Sequence, residues 1–82
     1  MNVQQFISTL SSAIEEAARL DEQQQHDDAA AVLRDALGSD CPWTGTETDE
    51  ELEEVRLLAN RCARGEERQR LRAARLRAYL AF

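Results

Sequence analysis

The sequence predicts an all-α fold: one small domain of four helices, arranged as two antiparallel helical hairpins. Three observations carry this. Gly and Pro together number only four in 82 residues, too few turn residues for a multi-stranded β fold. Apolar residues recur at helical spacing along most of the chain. Two helix starts read as capping boxes, Asn2 with Gln5 and Thr48 with Glu51. A chain of this length makes one domain, residues 1–82, with one modest core.

The first helix is expected over residues 3–22. Val3, Ile7, Leu10, Ile14 and Ala17 follow one another by fours and threes, and Phe6, Ala13 and Leu20 widen the stripe. Ser8, Thr9, Ser11 and Ser12 fall mostly on the other face. Short polar side chains weaken a helix, so packing must hold this one.

The second helix, residues 28–37, has Ala29, Val32, Leu33, Ala36 and Leu37 on one face. Asp27 or Asp28 is the expected N-cap, and Gly38 stands where a left-handed C-terminal residue is wanted. No Gly or Pro separates the two helices, so a single helix over 3–37 has to be weighed. Phase argues against it. Continued from Ala17, the first stripe would meet Asp28, Ala31 and Asp35, about one residue out of step with the observed one. A turn near Gln24–Asp27 lets both stripes face each other as a hairpin over residues 3–37.

Gln24-Gln25-His26-Asp27-Asp28-Ala29, followed by Leu33 and Ala36-Leu37, resembles the middle of a tetratricopeptide repeat over about residues 13–42. By that resemblance Ala17 and Leu20 take the first-helix positions, Ala29, Leu33 and Ala36 the second-helix positions, and Pro42 closes the repeat. The sequence departs from the family in having Gln24 for the turn glycine and His26 for the turn aromatic, and in lacking the first-helix aromatic. The resemblance implies protein binding rather than catalysis.

Residues 38–47 read as a loop. Pro42 pushes Cys41 toward extended geometry. Trp43, the one tryptophan, either caps the open end of the core or serves as an exposed anchor for a partner. The second hairpin is expected over 48–64 and 66–82. Thr48 caps its first helix, and five acids, Asp49, Glu50, Glu51, Glu53 and Glu54, crowd the positive end of the dipole. Its apolar face is Leu52, Val55, Leu58, Ala59 and Cys62, with Leu57 beside it, and Gly65 is expected to stop or bend it. The last helix has two apolar faces. Leu71, Ala74, Ala78, Ala81 and Phe82 share one; Ala73, Leu76 and Leu80 lie nearly opposite. A surface helix needs only one, so the second is expected to meet another polypeptide or a second copy of the chain.

The net charge of −6 conceals an asymmetry. Residues 1–55 hold fourteen acids against Arg19 and Arg34, whereas residues 56–82 hold eight arginines against Glu66 and Glu67. Either the basic C-terminal helix lies against the acidic helices, or one charged face is offered to an oppositely charged partner. Arg61, Arg64, Arg68, Arg72 and Arg75 would form one ridge if the helix ran through Gly65, a track for phosphates.

Nothing in the chain reads as catalytic. His26, the single histidine, sits in a polar turn and reads as an exposed or capping residue. Cys41 and Cys62 have no matching Cys or His pair for zinc, Cys62 falls on an apolar face, and no phosphate-binding glycine loop occurs. No cofactor, metal or small-molecule substrate is expected. The N-terminus has no basic segment followed by a long apolar run, and no stretch is long enough to span a membrane. A cytoplasmic protein with reduced thiols is expected.

The functional expectation is a non-enzymatic protein-interaction module, an adaptor or chaperone resembling small bacterial secretion chaperones in size, charge and fold. It would hold its partner, or a second copy, with Arg68, Arg72, Arg75, Leu76, Tyr79, Leu80 and Trp43. The alternatives are a nucleic-acid-linked regulator using the arginine ridge, and an acidic inhibitor that mimics nucleic acid.

Overall fold

A computed structural model describes residues 2–39 and 45–81. Among these it is all-α and contains three helices: α1 (Val3–Glu22), α2 (His26–Leu37) and α3 (Asp49–Leu80). The roles considered for Cys41, Pro42, Trp43 and Phe82 fall outside the described residues.

α1 starts as its capping box requires. The Asn2 side chain accepts from the Gln5 backbone, and the Gln5 side chain accepts from the Asn2 N–H. Its stripe is buried at Val3, Phe6, Ile7, Leu10, Ala13 and Ala17, and half-buried at Ile14 and Leu20. The phase break before α2 is a real break. Gln24 takes a left-handed conformation, φ 60°, while Gln25 N–H donates to Leu20 O at 2.8 Å and Gln24 N–H to Asp21 O at 3.0 Å. Those two bonds make a Schellman closure.

Two expectations about α2 are corrected. The helix begins at His26, with Gln25 in the N-cap position and no side-chain cap, so Asp27 and Asp28 lie inside the first turn. There they complement the dipole instead of capping it. Gly38 is right-handed, φ −78°, so the helix ends without the left-handed closure.

The larger correction concerns Gly65. It does not stop the helix: α3 is one helix of 32 residues, so the described residues hold three helices and not four. A glycine inside a helix costs only about 1 kcal/mol relative to alanine, which neighbouring packing can offset. At this position a Cβ would lie 2.9 Å from Leu33 Cδ1. The glycine therefore marks close approach of α2 and α3. Once the helix is continuous, Val55, Leu58, Cys62, Gly65, Gln69, Ala73 and Leu76 fall on one stripe.

Contacts fix the directions. Gln4 reaches Glu51, the Cys62 thiol lies 3.8 Å from Leu10 O, and Asp21 meets Arg72, so α1 and α3 run parallel. Leu33 meets Gly65 and His26 meets Gln69, so α2 runs against both. The result is an up-down-up bundle of 54 × 17 × 15 Å. Its core joins the α1 stripe to Ala29, Leu33 and Ala36 of α2 and Val55 and Cys62 of α3. Leu52 and Leu57, assigned to or beside the apolar face, are instead 42% and 51% exposed.

Candidate functional site

Helix lengths leave one end of the bundle unmatched. At about 1.5 Å per residue α3 is about 48 Å long and α1 about 30 Å. The two begin together, Gln4 beside Glu51, and α1 ends where Asp21 meets Arg72. Residues 74–80 of α3 therefore stand past the α1–α2 turn.

The projection is rooted in a polar cluster. Arg72 pairs with Asp21. His26 Nδ1 lies 2.9 Å from both Asp21 Oδ1 and Gln69 Oε1. Both neighbours are acceptors, so this nitrogen carries the proton and donates. Gln69, 6% exposed, is the buried polar residue of the described core. The Arg72 hydrogen bond holds that carboxyl below its usual pKa against the opposing effect of burial; Gln69 and His26 add to the lowering. One turn on, Arg77 pairs with Asp27 at 2.7 Å. His26 is thus neither exposed nor a cap; its ring is 13% exposed and bridges α2 to α1 and α3. Its partner Gln69 is 43 residues away, and no local pattern announces it.

The residues expected to bind a partner divide by this geometry. Arg72 is engaged with Asp21. Leu76 is half-buried on the stripe that faces the bundle. Tyr79 and Leu80 are 78% and 72% exposed on the projecting turns. Arg68 and Arg75 are exposed and have no ion pair among the described residues, as is also true of Arg61 and Arg64. The fold therefore neutralises part of the arginine set internally and leaves four members of the ridge facing solvent. Of the two apolar faces, the Ala73–Leu76 face turns inward and the Leu71–Ala74–Ala78 face stays open, with Leu71 54% exposed. Sequence reading did not choose Leu71. Continuing the stripe through Gly65 would have pointed to it.

Among the described residues, α3 borders one groove against α2 and another against α1. The one against α2, about 910 Å³, mixes Asp27, Arg34, Glu66 and Arg77 over Ala30 and Leu71. The one against α1, about 300 Å³, has Ile14, Ala17 and Leu33 as floor and Arg61, Arg64 and Arg68 on its rim. Among the described residues no group of His, Cys, Asp or Glu is arranged to hold a metal, and no helix is long and apolar enough to cross a membrane. The Cys62 thiol is fully buried, and burial pushes its pKa up, with Arg61 opposing, the reverse of an activated nucleophile. Neither a scan against protein-family models nor searches of curated proteins and solved structures finds a match to this chain.

Proposed function

We propose that the chain is a non-enzymatic protein-interaction module, an adaptor or small chaperone, that holds a partner polypeptide on the projecting end of α3. The observation that carries this reading is the exposure of Tyr79 and Leu80, at 78% and 72%, on turns that no other helix covers. Aromatic and apolar anchors bordered by charge are the residues on which binding energy concentrates. Arg68 and Arg75 supply the charge, Leu76 borders the patch from the bundle side, and Arg72 fixes the root of the helix. On this reading the α1–α2 hairpin is a tetratricopeptide-like unit, and Ala17 and Ala29, 3% and 0% exposed, are the small residues of its crossing. The cytoplasm suits it, since Cys62 is a free buried thiol.

The test is affinity capture by the full chain from extract of its native cell, read by mass spectrometry, beside the Tyr79→Ala/Leu80→Ala variant. The expected result is a partner retained by the wild type in high salt and lost by the variant. An identical set on both would overturn the reading.

One observation favours a second reading. The helix continues through Gly65, so Arg61, Arg64, Arg68 and Arg75 form one strip about 21 Å long, a phosphate track for nucleic acid. The net charge of −6 opposes it. Retention that collapses as salt rises, and that follows added nucleic acid, would favour the track over the apolar patch.

A further inference from the structure

All the large apolar side chains that are exposed among the described residues lie on α3: Leu52, Leu57, Leu71, Tyr79 and Leu80. Leu57 and Leu71 are half-exposed, at 51% and 54%, and stand two heptads apart. On a wheel of about 100° per residue they lie within about 40° of each other, on the side opposite Cys62 and Ala73. This outer face continues as Glu53, Leu57, Asn60, Arg64, Glu67, Leu71, Ala74 and Ala78, by alternating steps of four and three. That is the 3.5-residue period of a helix–helix seam.

The face also has a symmetry that one helix does not need. Leu57 and Leu71 have Arg64 as their midpoint. So do Glu53 and Arg75, which are opposite in charge, and so do Arg61 and Glu67. A pattern in which like apolar residues and unlike charges are placed evenly about one position is what an isologous two-fold contact requires, because each residue must suit its mirror position on the other copy. Arg61, Glu67 and Arg75 are exposed and have no ion pair within the chain among the described residues, whereas Glu53, also exposed, pairs with Arg56 of its own helix at 2.6 Å, a surface contact that Arg75 of the second copy would share.

We propose that the outer face of α3 binds the same face of a second copy, the two helices antiparallel about an axis at Arg64. Leu57 then packs on Leu71 of the second copy, Glu53 meets its Arg75, and Arg61 meets its Glu67, each contact occurring twice. A parallel pair would set the acidic starts of the two helices together and the arginines together, so charge selects the antiparallel arrangement. Arg64 faces its own copy at the axis, which opposes association. Each copy offers the seam only two large apolar side chains, Leu57 and Leu71. The dimer is therefore weak and concentration-dependent.

The pairing rests on the reading of α3 as an interaction helix, but it uses the outer face and shares only Arg75 with the surface proposed for the partner. The test is sedimentation equilibrium of the full chain from micromolar to near-millimolar concentration, with circular dichroism to verify that each variant is helical. The wild type is expected to show a monomer–dimer equilibrium, and Leu57→Asp or Leu71→Asp to raise its dissociation constant by about tenfold or more. Glu53→Arg and Arg75→Glu each set like charges opposite and should weaken self-association. Mixed with each other, these two variants should form a heterodimer, because every charge contact is then complementary. A wild type monomeric throughout, a dimer indifferent to the leucine changes, or a mixture no tighter than its components would overturn the pairing. A monomer that still loses a captured partner on changing Tyr79 and Leu80 would overturn the pairing alone; a dimer that captures nothing would overturn the module alone.

Discussion

A methyl group added to Gly65 would lie 2.9 Å from Leu33 Cδ1, so α2 and α3 approach each other through a gap that only a hydrogen fills. Two effects of opposite sign meet here. Alanine would favour the helix by about 1 kcal/mol over glycine. It would also displace the end of the Leu33 side chain, itself only 3% exposed. Gly65→Ala is expected to leave stability within about 1 kcal/mol of wild type, because one flexible methyl gives way. Gly65→Leu should cost about 2 kcal/mol or more, because the helices must separate. Urea unfolding midpoints for both variants check this. A Gly65→Leu variant as stable as wild type would show that the approach is not close.

Gln24 stores strain that its neighbours outweigh. Its φ of 60° costs a residue with a Cβ about 1–2 kcal/mol. The closure nevertheless forms, since the two backbone bonds to Leu20 O and Asp21 O fix it. Gln24→Gly removes that strain and adds unfolded-state entropy of about 0.5–1 kcal/mol. A net gain of about 0.5–1 kcal/mol is expected, seen as a rise in Tm of a few degrees. Gln24→Val should lower Tm. Equal melting of all three proteins would argue against a left-handed Gln24.

The sequence makes α1 and its turn legible because their signals are local: a stripe of fixed phase, a capping box, and a break of phase between Ala17 and Ala29. It misleads at Gly65 for a physical reason. Glycine is both a helix terminator and the residue that permits close helix approach, and the difference lies in Leu33, 32 residues away in sequence. The same misreading split α3, hid the stripe from Cys62 to Leu76, and moved the apparent free face from Leu71 to Leu76. Of the binding residues, Tyr79 and Leu80 needed only the helix to run past its neighbours. The His26–Gln69 contact had no sequence signal, since a glutamine in a basic helix looks like surface until another helix covers it.

The Asp21 cluster predicts a sign for the pH dependence. The Asp21 carboxyl is depressed in the folded state, chiefly by its hydrogen bond to Arg72. A depressed acid contributes stability above its unfolded pKa, near 3.8, and loses that contribution as pH falls through the folded value. Asp21→Asn should therefore be less stable than wild type at neutral pH, and the difference should narrow on acidification below the unfolded pKa. The slope will not vanish, because Glu51 and Glu53 are also depressed, by Thr48 and Arg56 respectively. Thermal melts of the two proteins between neutral pH and about pH 2 measure it. A difference that stays constant would mean the Arg72 contact does not depend on the Asp21 charge.

Exposure separates the residues that hold the fold from those proposed to hold a partner. Leu10 is 0% exposed and sits beside Cys62 in the middle of the bundle. Leu10→Ala deletes packed methyl groups and should cost about 2–5 kcal/mol, enough to unfold much of a domain this small. Tyr79 and Leu80 lose little buried surface when truncated, since 78% and 72% of each is already in water. Their alanine variants should unfold within about 0.5 kcal/mol of wild type, as surface changes do. If the projecting end of α3 works as proposed, these same variants abolish partner capture. Denaturation and capture measured on one set of proteins decide the matter. Large destabilisation by Tyr79→Ala or Leu80→Ala would mean that the end of α3 is packed within the chain and is not a free surface. Unchanged stability with unchanged capture would move the binding surface off these turns.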